Sequence, residues 1–562
     1  MSSCLRTDMR HLIWILLALA LILGLPFFMR TDAPLSGSAQ DTVVVITPHP
    51  ESIRLEFMRG FSRWYETETG RSVRVDYRMI GGTSEISRFL TSEYTNAFRN
   101  YWERELGQRW SSQVQHAFNN PQVELPDDPA NDNAAQQARR AFLESSVSSG
   151  IDVFFGGGSY DHSVHAARGH LVDAGLLDAY PEWFIESAEP GEVPSAIPQQ
   201  FAGERFYDPE GRWHGAVLAS YGLIYNRDVV EQLGIEQVPQ QWTDLTDPRY
   251  FGQIAVSDPT MSGAMTQAFE MVIQQQMQEL LSELREAHPS ADPAELDRRA
   301  AEEGWLRGMQ VIQLISANAR YFTDSSTKPN IDVSLGDSAA GMTIDFYGRF
   351  QQETIQARGG GDRFVFFNPP GGSTISADPI SLLRGARNDS VARAYIRYVL
   401  SEEGQKLWNF KVGTPGGPET YALRRPPIRP SLYREELQTY RSDPDYNPYL
   451  AAEGFHYRGD WTGRLFTEIR FLIRVCFMDV RDELAQAWKA ILSARAEGRI
   501  DDADRALAVL SDLSAIDYEQ TQTEIRDALR RSALSEVQLA RDLSRHFSEQ
   551  YRNARRIANG RE

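Results

Sequence analysis

The fold is decided by TVVVITPHPESIRLEFMRGFSRWYETETGRSVRVDYRMIGGTSE, residues 42–85. Its opening residues, Thr42–Ile46, are mostly β-branched and apolar, which predicts a buried strand. Large apolar residues between Ile53 and Trp64 recur at spacings of three and four, which predicts an amphipathic helix. Val73–Tyr77 then alternates apolar and polar residues as a second strand does. A strand, a helix and a strand in this order predict a parallel βαβ unit.

Glycine-rich loops precede three of the predicted helices. The first N–H groups of a helix lack partners within the helix, and together with the helix dipole they favour an anion. Because ligands bind at the carboxyl ends of parallel strands, we expect these loops to line one site. The alternative is that they are ordinary tight turns and helix caps. The candidate ligand residues in the loops are Gly82, Thr83, Ser84, Gly158, Ser159, Ser262 and Gly263.

Length, charge and cysteine content exclude several classes of protein. The chain has 562 residues, enough for two or three domains. Its formal charge of −19 argues against nucleic acid and anionic lipid as partners, because like charges repel. Cys4 and Cys476 are its two cysteines, so a disulfide framework and a cysteine-rich metal site are both excluded.

An apolar run near the N-terminus, Leu12–Met29, follows the basic residues Arg6 and Arg10. Such a run is either a secretion signal or an uncleaved membrane anchor. Its length lies at the lower limit of a bilayer span, and Ser38–Gln40 is a candidate cleavage site. Both alternatives place Asp41 onward in the periplasm or on the outer face of the cytoplasmic membrane.

The chain alternates strands with helices from Thr42 to about Pro427, as an α/β fold does. Two polar segments, about 94–148 and 274–304, interrupt this alternation and are expected to be helical inserts on the surface. Residues 431–562 are predicted to be an all-α extension. The predicted strands are Ile151–Phe155, Gly215–Tyr225, Gln253–Ser257, Ile331–Leu335, Gly341–Asp345 and Arg363–Phe367, and the predicted helices are Gly263–Gln276, Asp345–Arg358 and Ser390–Leu400.

Seven short motifs, in this order, indicate a known family. The chain resembles the extracellular solute-binding proteins of ABC importers, specifically the two-lobed group that includes ferric-iron and organophosphate binders. The resemblance covers roughly residues 41–425. The motifs are Ile46-Thr-Pro-His49, Gly81-Gly-Thr-Ser-Glu85, Ile151-Asp-Val-Phe-Phe-Gly-Gly-Gly-Ser159, Tyr221-Gly-Leu-Ile-Tyr-Asn226, Ser257-Asp-Pro-Thr-Met-Ser-Gly263, Ala339-Ala-Gly-Met-Thr-Ile-Asp-Phe-Tyr347 and Ser401-Glu-Glu-Gly-Gln405.

The resemblance implies an α/β fold of two lobes that are joined by crossing hinge strands and close on a ligand between them. Lobe one is expected at 41–214 and 366–430, and lobe two at 215–365. Residues 1–40 are expected to be a signal or anchor with a linker, and 431–562 the helical extension. The implied partners are a small-molecule or ion ligand and a membrane permease, and the protein is expected to be a monomer without nucleic acid.

The resemblance adds His49, Asp345 and Tyr347 to the candidate ligand residues. Tyr160, which follows the Gly-Gly-Gly-Ser loop, and Tyr221, near a crossing strand, are also candidates, with core packing as the alternative for Tyr221. We expect a small polar or anionic solute, with a phosphorylated or phosphonate compound favoured, and no resident cofactor. The alternative ligand is ferric iron, which would be transported cargo held by His49 and Tyr347, since hard oxygen donors suit a hard cation. Phe346 stands where the iron-binding relatives have the first of two tyrosines, and this argues against iron.

Three histidines follow the Gly-Gly-Gly-Ser loop, at positions 162, 165 and 170. His162 and His165 share one face if this segment is helical, so a zinc site is conceivable. The interpretation we favour is a solvated helix face beside the site.

The predicted function is a binding protein without catalysis. No nucleophile elbow, phosphate-binding Gly-Lys-Ser/Thr loop or His-Glu-x-x-His motif is present in the sequence. A second hypothesis is a membrane-tethered sensor or scaffold that reports ligand through the helical extension. A zinc hydrolase built on the three histidines is a third.

Overall fold

A computed structural model describes residues 39–452 and 454–561. The strands are β1 Asp41–Ile46, β2 Val73–Arg78, β3 Val153–Phe155, β4 Leu171–Val172, β5 Phe184–Ala188, β6 Ile197–Phe201, β7 Glu204–Arg205, β8 His214–Asn226, β9 Ile254–Ser257, β10 Ala319–Thr323, β11 Ala340–Ile344, β12 Phe364–Phe367 and β13 Ile375–Leu383. The helices are α1 Glu51–Thr69, α2 Thr83–Arg104, α3 Ser112–Ala117, α4 Ala134–Glu144, α5 Ser159–Arg168, α6 Leu176–Ala179, α7 Arg227–Gln232, α8 Gly263–Ala287, α9 Pro293–Asn318, α10 Lys328–Leu335, α11 Asp345–Ala357, α12 Asp389–Leu400, α13 Glu402–Asn409, α14 Pro448–Ala451, α15 Phe466–Ile473, α16 Arg481–Ala496, α17 Ile500–Leu510, α18 Tyr518–Gln520, α19 Arg526–Arg531 and α20 Ala533–Ala558.

Lobe one is organised around a mixed sheet. Strand β1 pairs in parallel with both β2 and β3, as the opening segment predicts. Strand β13 closes this part of the sheet by pairing antiparallel with β3 and β4. Because β1 and β3 run in the same direction, their carboxyl ends meet at one edge, and the loops that follow both strands lie there.

Strand β8 belongs to both lobes. His214–Ser220 pairs antiparallel with β13 of lobe one, whereas Tyr221–Asn226 pairs with β11 and β12 of lobe two. In lobe two, β9 pairs in parallel with β10 and β11. The chain returns to lobe one between β12 and β13, where the Asn368 side chain donates a hydrogen bond of 2.8 Å to the Tyr221 carbonyl oxygen.

The α/β two-lobed fold and the C-terminal helices are confirmed, but one predicted strand is wrong and the strands β4, β5, β6, β7, β10 and β13 were not predicted. The predicted strand Ile331–Leu335 is wrong, because these residues lie in α10. Pro329 occupies the first turn of that helix, and Gly336 ends it in the left-handed conformation at φ +83°. The sequence pattern missed β13, because Pro379 shifts its register and is untypical of a central strand.

The segment 274–304 lies only partly on the surface: residues 285–295 are exposed, but the residues on either side are largely buried. Helices α8 and α9 form an antiparallel hairpin whose apolar side chains are buried between lobe two and the C-terminal helices. The buried Trp305 indole donates a hydrogen bond of 2.9 Å to the Ile516 carbonyl oxygen. The Trp488 indole donates one of the same length to Asn318. Lobe two and the C-terminal helices therefore share one hydrophobic core.

A pair of buried carboxyl groups lies where lobe one, lobe two and the C-terminal segment meet. Glu204 is in β7 and accepts a hydrogen bond of 3.3 Å from Gln267. Glu270 accepts hydrogen bonds of 2.8 Å from Tyr457 and 2.6 Å from Thr462. Burial, with Glu270 nearby, raises the pKa of Glu204 to about 8, and burial raises that of Glu270 to about 7.

Among the described residues, no helix combines the length and the apolar character that a membrane crossing requires. The apolar run Leu12–Met29 and Cys4 lie outside the described residues. Cys476 is buried as a free thiol, and burial raises its pKa well above the ordinary range.

Replacing the buried Ile491 in α16 by alanine tests the shared core. We expect Ile491→Ala to lower the free energy of unfolding by about 2–5 kcal/mol, since its side chain is fully buried. Urea unfolding followed by tryptophan fluorescence and far-ultraviolet circular dichroism should show one transition that shifts as a whole. Val537→Ala, at a side chain that is 64% exposed, is the matched control and should change little. A separate early transition of the C-terminal helices would contradict the shared core.

Stability should depend on the ionisation of Glu204. Its pKa is 4.5 when solvated and about 8 in the folded protein, so its contribution to stability is lost as the pH rises through this window. We expect Glu204→Gln to raise the melting temperature at pH 8 by about 2–4 °C or more and to leave it nearly unchanged at pH 5. Glu66→Gln, on the exposed surface of α1, is the control. Parallel melting curves for Glu204→Gln and the unmodified protein at both pH values would contradict this prediction.

Candidate functional site

The two lobes enclose a cavity of about 170 Å³. Lobe one contributes the loops after β1, β2 and β3, and lobe two contributes the loop after β9 and the start of α11. The C-terminal segment contributes Phe466, whose ring stacks on Tyr160 with centroids 4.6 Å apart. The cavity is therefore lined by all three parts of the described chain.

Five helices begin at this cavity. The residues that precede α1, α2, α5, α8 and α11 all line it, and they are Pro50, Gly82, Gly158, Ser262 and Ile344. Only Ser262 caps its helix, by accepting a hydrogen bond from the Met265 N–H. The other four make no side-chain cap, so first-turn N–H groups of α1, α2 and α5 stay available for a ligand. In α11 the Phe346 N–H donates to the Asp345 side chain instead. Each helix also presents the positive end of its dipole to the cavity.

Arg425 is fully buried at the cavity and forms an ion pair with Asp378. Its guanidinium also donates a hydrogen bond of 3.2 Å to Nε2 of His49 and lies 4.4 Å from the ring centroid of Phe346. Burial and the charge of Arg425 hold the pKa of His49 well below its usual range. His49 is therefore a neutral imidazole that accepts a hydrogen bond from a cation.

Arg424 adopts the left-handed backbone conformation at φ +53°, which is uncommon outside glycine. Its side chain forms an ion pair of 2.6 Å with Asp443 and a second ion pair with Glu353 in α11 of lobe two. Neighbouring arginines thus have different roles. Arg425 faces the cavity, and Arg424 joins lobe one to lobe two.

Two glycines allow the close packing of the loop after β3. Gly156 has φ +92°, and a Cβ atom there would lie 2.5 Å from the His49 ring. Gly157 has φ +100°, and its Cβ would lie 2.7 Å from Thr83 Cγ2. Both positions combine a left-handed conformation with contact that only glycine permits.

Most of the predicted ligand residues come together at the cavity. Ser84 lies beside it and lines a neighbouring cavity, and Ser159 is the first residue of α5. Asp345 is buried behind the cavity, where it accepts hydrogen bonds of 3.2 Å from Ser220 and 2.8 Å from the Phe346 N–H, and burial raises its pKa to about 6. The residues that line the cavity are His49, Gly82, Thr83, Gly158, Tyr160, Tyr221, Ser262, Gly263 and Tyr347.

The histidines at 162, 165 and 170 are not on a solvated helix face, and that interpretation is wrong. All three side chains are fully buried. His162 bonds to Ser381 and to the Gly156 carbonyl oxygen, while His165 and His170 join their Nδ1 atoms at 2.7 Å. Burial lowers the pKa of His162 and His165 to about 3. Within the described ranges no group of three histidine, cysteine or acidic residues is placed to hold a metal ion.

Several residues at the cavity were not among the predicted ligand residues, and Arg425, Asp378 and Phe466 are three of them. Arg425 is adjacent to Arg424 and two prolines, and nothing in that motif separates a buried arginine from a solvated one. Asp378 lies in β13, which was not predicted as a strand because Pro379 is untypical of a central strand. Phe466 lies in the C-terminal extension, for which the sequence gives no motif. These residues reach the cavity through long-range packing, which local patterns do not record.

Comparisons with known proteins agree with this architecture. Residues 148–423 match the family model described as bacterial extracellular solute-binding protein. The predicted resemblance to extracellular solute-binding proteins is confirmed for these residues. The family agrees with the prediction that the protein lies outside the cytoplasm.

Two relatives with sequence similarity extend beyond the aligned region. An uncharacterized protein of Haemophilus influenzae is 25% identical over 261 residues, which are 46% of this chain and 60% of that protein. The phosphoglycerate transport regulatory protein PgtC of Salmonella typhimurium is 23% identical over 190 residues, which are 34% of this chain and 39% of that protein. The chain therefore spans less than two thirds of either relative.

Solved periplasmic binding proteins are similar at low sequence identity. The periplasmic binding protein AfuA from Actinobacillus pleuropneumoniae, with fructose-6-phosphate bound, is 16% identical with a TM-score of 0.45, covering 78% of this chain and 99% of its own. Iron-bound HitA from Pseudomonas aeruginosa is 14% identical with a TM-score of 0.42, covering 76% of this chain and 98% of its own.

Gly157→Ala should damage the solute-binding cavity beyond the cost of backbone strain. A left-handed non-glycine residue costs on the order of 1–3 kcal/mol, and here the new methyl group also meets Thr83. The matched control is Gly107→Ala, since Gly107 has φ +63° and open space around its Cβ. We expect a larger fall in the free energy of unfolding for Gly157→Ala than for Gly107→Ala, measured by urea titration. Equal losses would show that the packing of Gly157 on Thr83 is unimportant.

Proposed function

We propose that this protein is the solute-binding component of an ABC importer, and that it captures a small organic anion with a phosphate or phosphonate group. The observation that carries the proposal is the convergence of five helix starts and Arg425 on one cavity between the lobes. The cognate partner is a membrane permease, which would receive the ligand from the closed form.

The donors at the cavity suit an anion with several oxygen atoms. Each helix start carries about half a positive charge and free N–H groups. Thr83 and Ser262 add hydroxyl groups, and Tyr221 and Tyr347 add phenols. A tetrahedral phosphate offers acceptors in several directions, so donors from both lobes can bind it together.

The same cavity also contains acceptors that suit an organic solute. Asp378 and Gln267 line it and are able to accept hydrogen bonds from hydroxyl groups. The ion pair with Arg425 offsets the charge of Asp378. These groups favour a hydroxylated compound with an anionic end over a bare inorganic anion.

The geometry favours an anion over ferric iron. Phe346 occupies the position expected for the first of two tyrosines, and Arg425 lies over its ring. Burial raises the pKa of Tyr347, which disfavours the phenolate that iron requires. A cation beside the position of a ferric ion would also repel it.

Hinge closure is the mechanism that the contacts support. Ligand donors come from Gly82 and Gly158 in lobe one and from Ser262 in lobe two, so a bound solute holds the lobes together. In this structure the lobes already touch, because a Cβ on Gly82 would lie 3.0 Å from the Met261 carbonyl oxygen. The Arg424–Glu353 ion pair adds a second link.

A second candidate function is reporting of the bound solute to another protein. Phe466 of the C-terminal segment lines the cavity, so closure on a ligand reaches the helical extension directly. One relative is named as a phosphoglycerate transport regulatory protein. Under this function the helical extension signals to another protein whether a solute is bound, and import is only part of the protein's role.

The test is the binding of 3-phosphoglycerate compared with glycerate, which differs by the phosphate group. We expect 3-phosphoglycerate to raise the melting temperature of the purified protein and glycerate to have no effect at equal concentration. Thr83→Val should weaken binding about tenfold, or 1.4 kcal/mol, because it removes one donor to a charged group. Thr67→Val, on the exposed surface of α1, is the control.

Native mass spectrometry of the same preparation distinguishes the alternatives. A co-purified organic adduct that contains phosphorus supports the proposal and identifies the ligand by mass. One iron atom per chain, lost in Tyr347→Phe, would overturn it in favour of ferric iron. Stronger binding of glycerate than of 3-phosphoglycerate would also overturn it.

A further inference from the structure

A second, larger cavity lies behind Tyr160 and Asp161, which form the wall it shares with the solute cavity. Its volume is about 500 Å³. Helices α2 and α5 of lobe one form one side, and α15 with the residues that follow it forms the other. The C-terminal segment supplies much of the lining, so this cavity does not belong to the two-lobed fold alone.

The charged groups around this cavity are mainly arginines. Arg88, Arg168, Arg470 and Arg474 line it, opposed by the carboxyl groups of Asp161 and Glu536. Positive side chains therefore outnumber negative ones by two, in a protein whose formal charge is −19. An excess of guanidinium groups around one concave space is the arrangement that recognises phosphate or carboxylate groups.

Two of the four arginines, Arg168 and Arg470, keep donors available for a ligand, whereas the other two form ion pairs. Arg88 forms an ion pair of 2.7 Å with Glu85, and Arg474 one of 3.7 Å with Glu536. Arg168 instead donates 3.1 Å to the Thr91 hydroxyl, and Arg470 donates a long bond of 3.4 Å to Ser84. Within residues 39–452 and 454–561, neither Arg168 nor Arg470 has a carboxylate oxygen within ion-pair distance.

Asp161 offsets only part of the positive charge of the arginines at this cavity. Its side chain is 8% exposed and lines both cavities. Burial raises its pKa to about 6, and Arg470 and Arg168 oppose that rise. Burial therefore disfavours the charged form of this carboxyl group, while the charges of the two arginines favour it.

We propose that this arginine-lined cavity is a second anion-binding site that takes a phosphate group. A ligand there contacts α5 of lobe one through Arg168 and the C-terminal α15 through Arg470. Because the C-terminal helices share their core with lobe two, an anion in this site holds lobe one against lobe two. The site thereby favours the closed arrangement independently of the solute in the first cavity.

Equilibrium dialysis of the full chain against radiolabelled inorganic phosphate tests the site. We expect saturable binding of phosphate that falls by at least tenfold in affinity in the double variant Arg168→Gln, Arg470→Gln. The matched control is Arg104→Gln, which replaces an exposed arginine at the end of α2, away from the cavity-lining residues of that helix. This variant should bind phosphate as the unmodified protein does. Thr83→Val reports on the first cavity and should leave this site unchanged, which separates failure of this proposal from failure of the proposed function.

Folding of the double variant is checked by its melting curve. If it does not fold, Arg470→Gln alone decides the matter, because that side chain is only partly buried and makes a single long hydrogen bond of 3.4 Å to Ser84. We expect an affinity for phosphate about tenfold weaker in Arg470→Gln. Unchanged phosphate binding in the folded double variant, or in Arg470→Gln where the double variant fails, overturns the proposal.

Discussion

Every residue of strand β8, His214–Asn226, is buried, and the strand changes partner at its middle. Up to Ser220 its hydrogen bonds go to β13 of lobe one, and from Tyr221 they go to β11 of lobe two. A strand held by ladders on both sides cannot slide, so relative motion of the lobes must concentrate where the partners change. Tyr221 lies at that point and lines the cavity, which couples occupation of the cavity to the angle between the lobes.

The same cavity explains how a strongly acidic chain is suited to an anion. The charge of −19 is spread over the whole sequence, and salt screens solvated charges beyond about 8 Å. The helix dipoles act within their first turn, and Arg425 lies in contact with the cavity. Local donors therefore decide what binds, whereas the overall charge affects solubility and the approach of other macromolecules.

The parts of the fold that local patterns determine were predictable from the sequence. The β1–α1–β2 unit and the glycine loops follow from spacing and from helix starts, and nine predicted ligand residues line one cavity. The predictions that were wrong or missing concern residues whose environment depends on contacts distant in the sequence. Residues 331–335 contain apolar side chains typical of a strand, yet Pro329 and Gly336 delimit a helix. The histidines after β3 look like a polar face, but α2 and β13 bury them. Arg425 joins the site across 376 residues of sequence separation from His49.

The C-terminal helices determine which parts of this protein move together when the lobes close. They share a continuous apolar core with lobe two, and separating them would expose that core, so they move with it as one unit. Their contacts with lobe one are of a different kind: the Tyr160–Phe466 stack, the Tyr160–Thr467 hydrogen bond of 3.0 Å and the Arg470–Ser84 bond. Because these contacts are few and individually weak, they can form and break during opening. Both cavities meet at Tyr160 and Asp161, so opening at that wall would uncover the two cavities together.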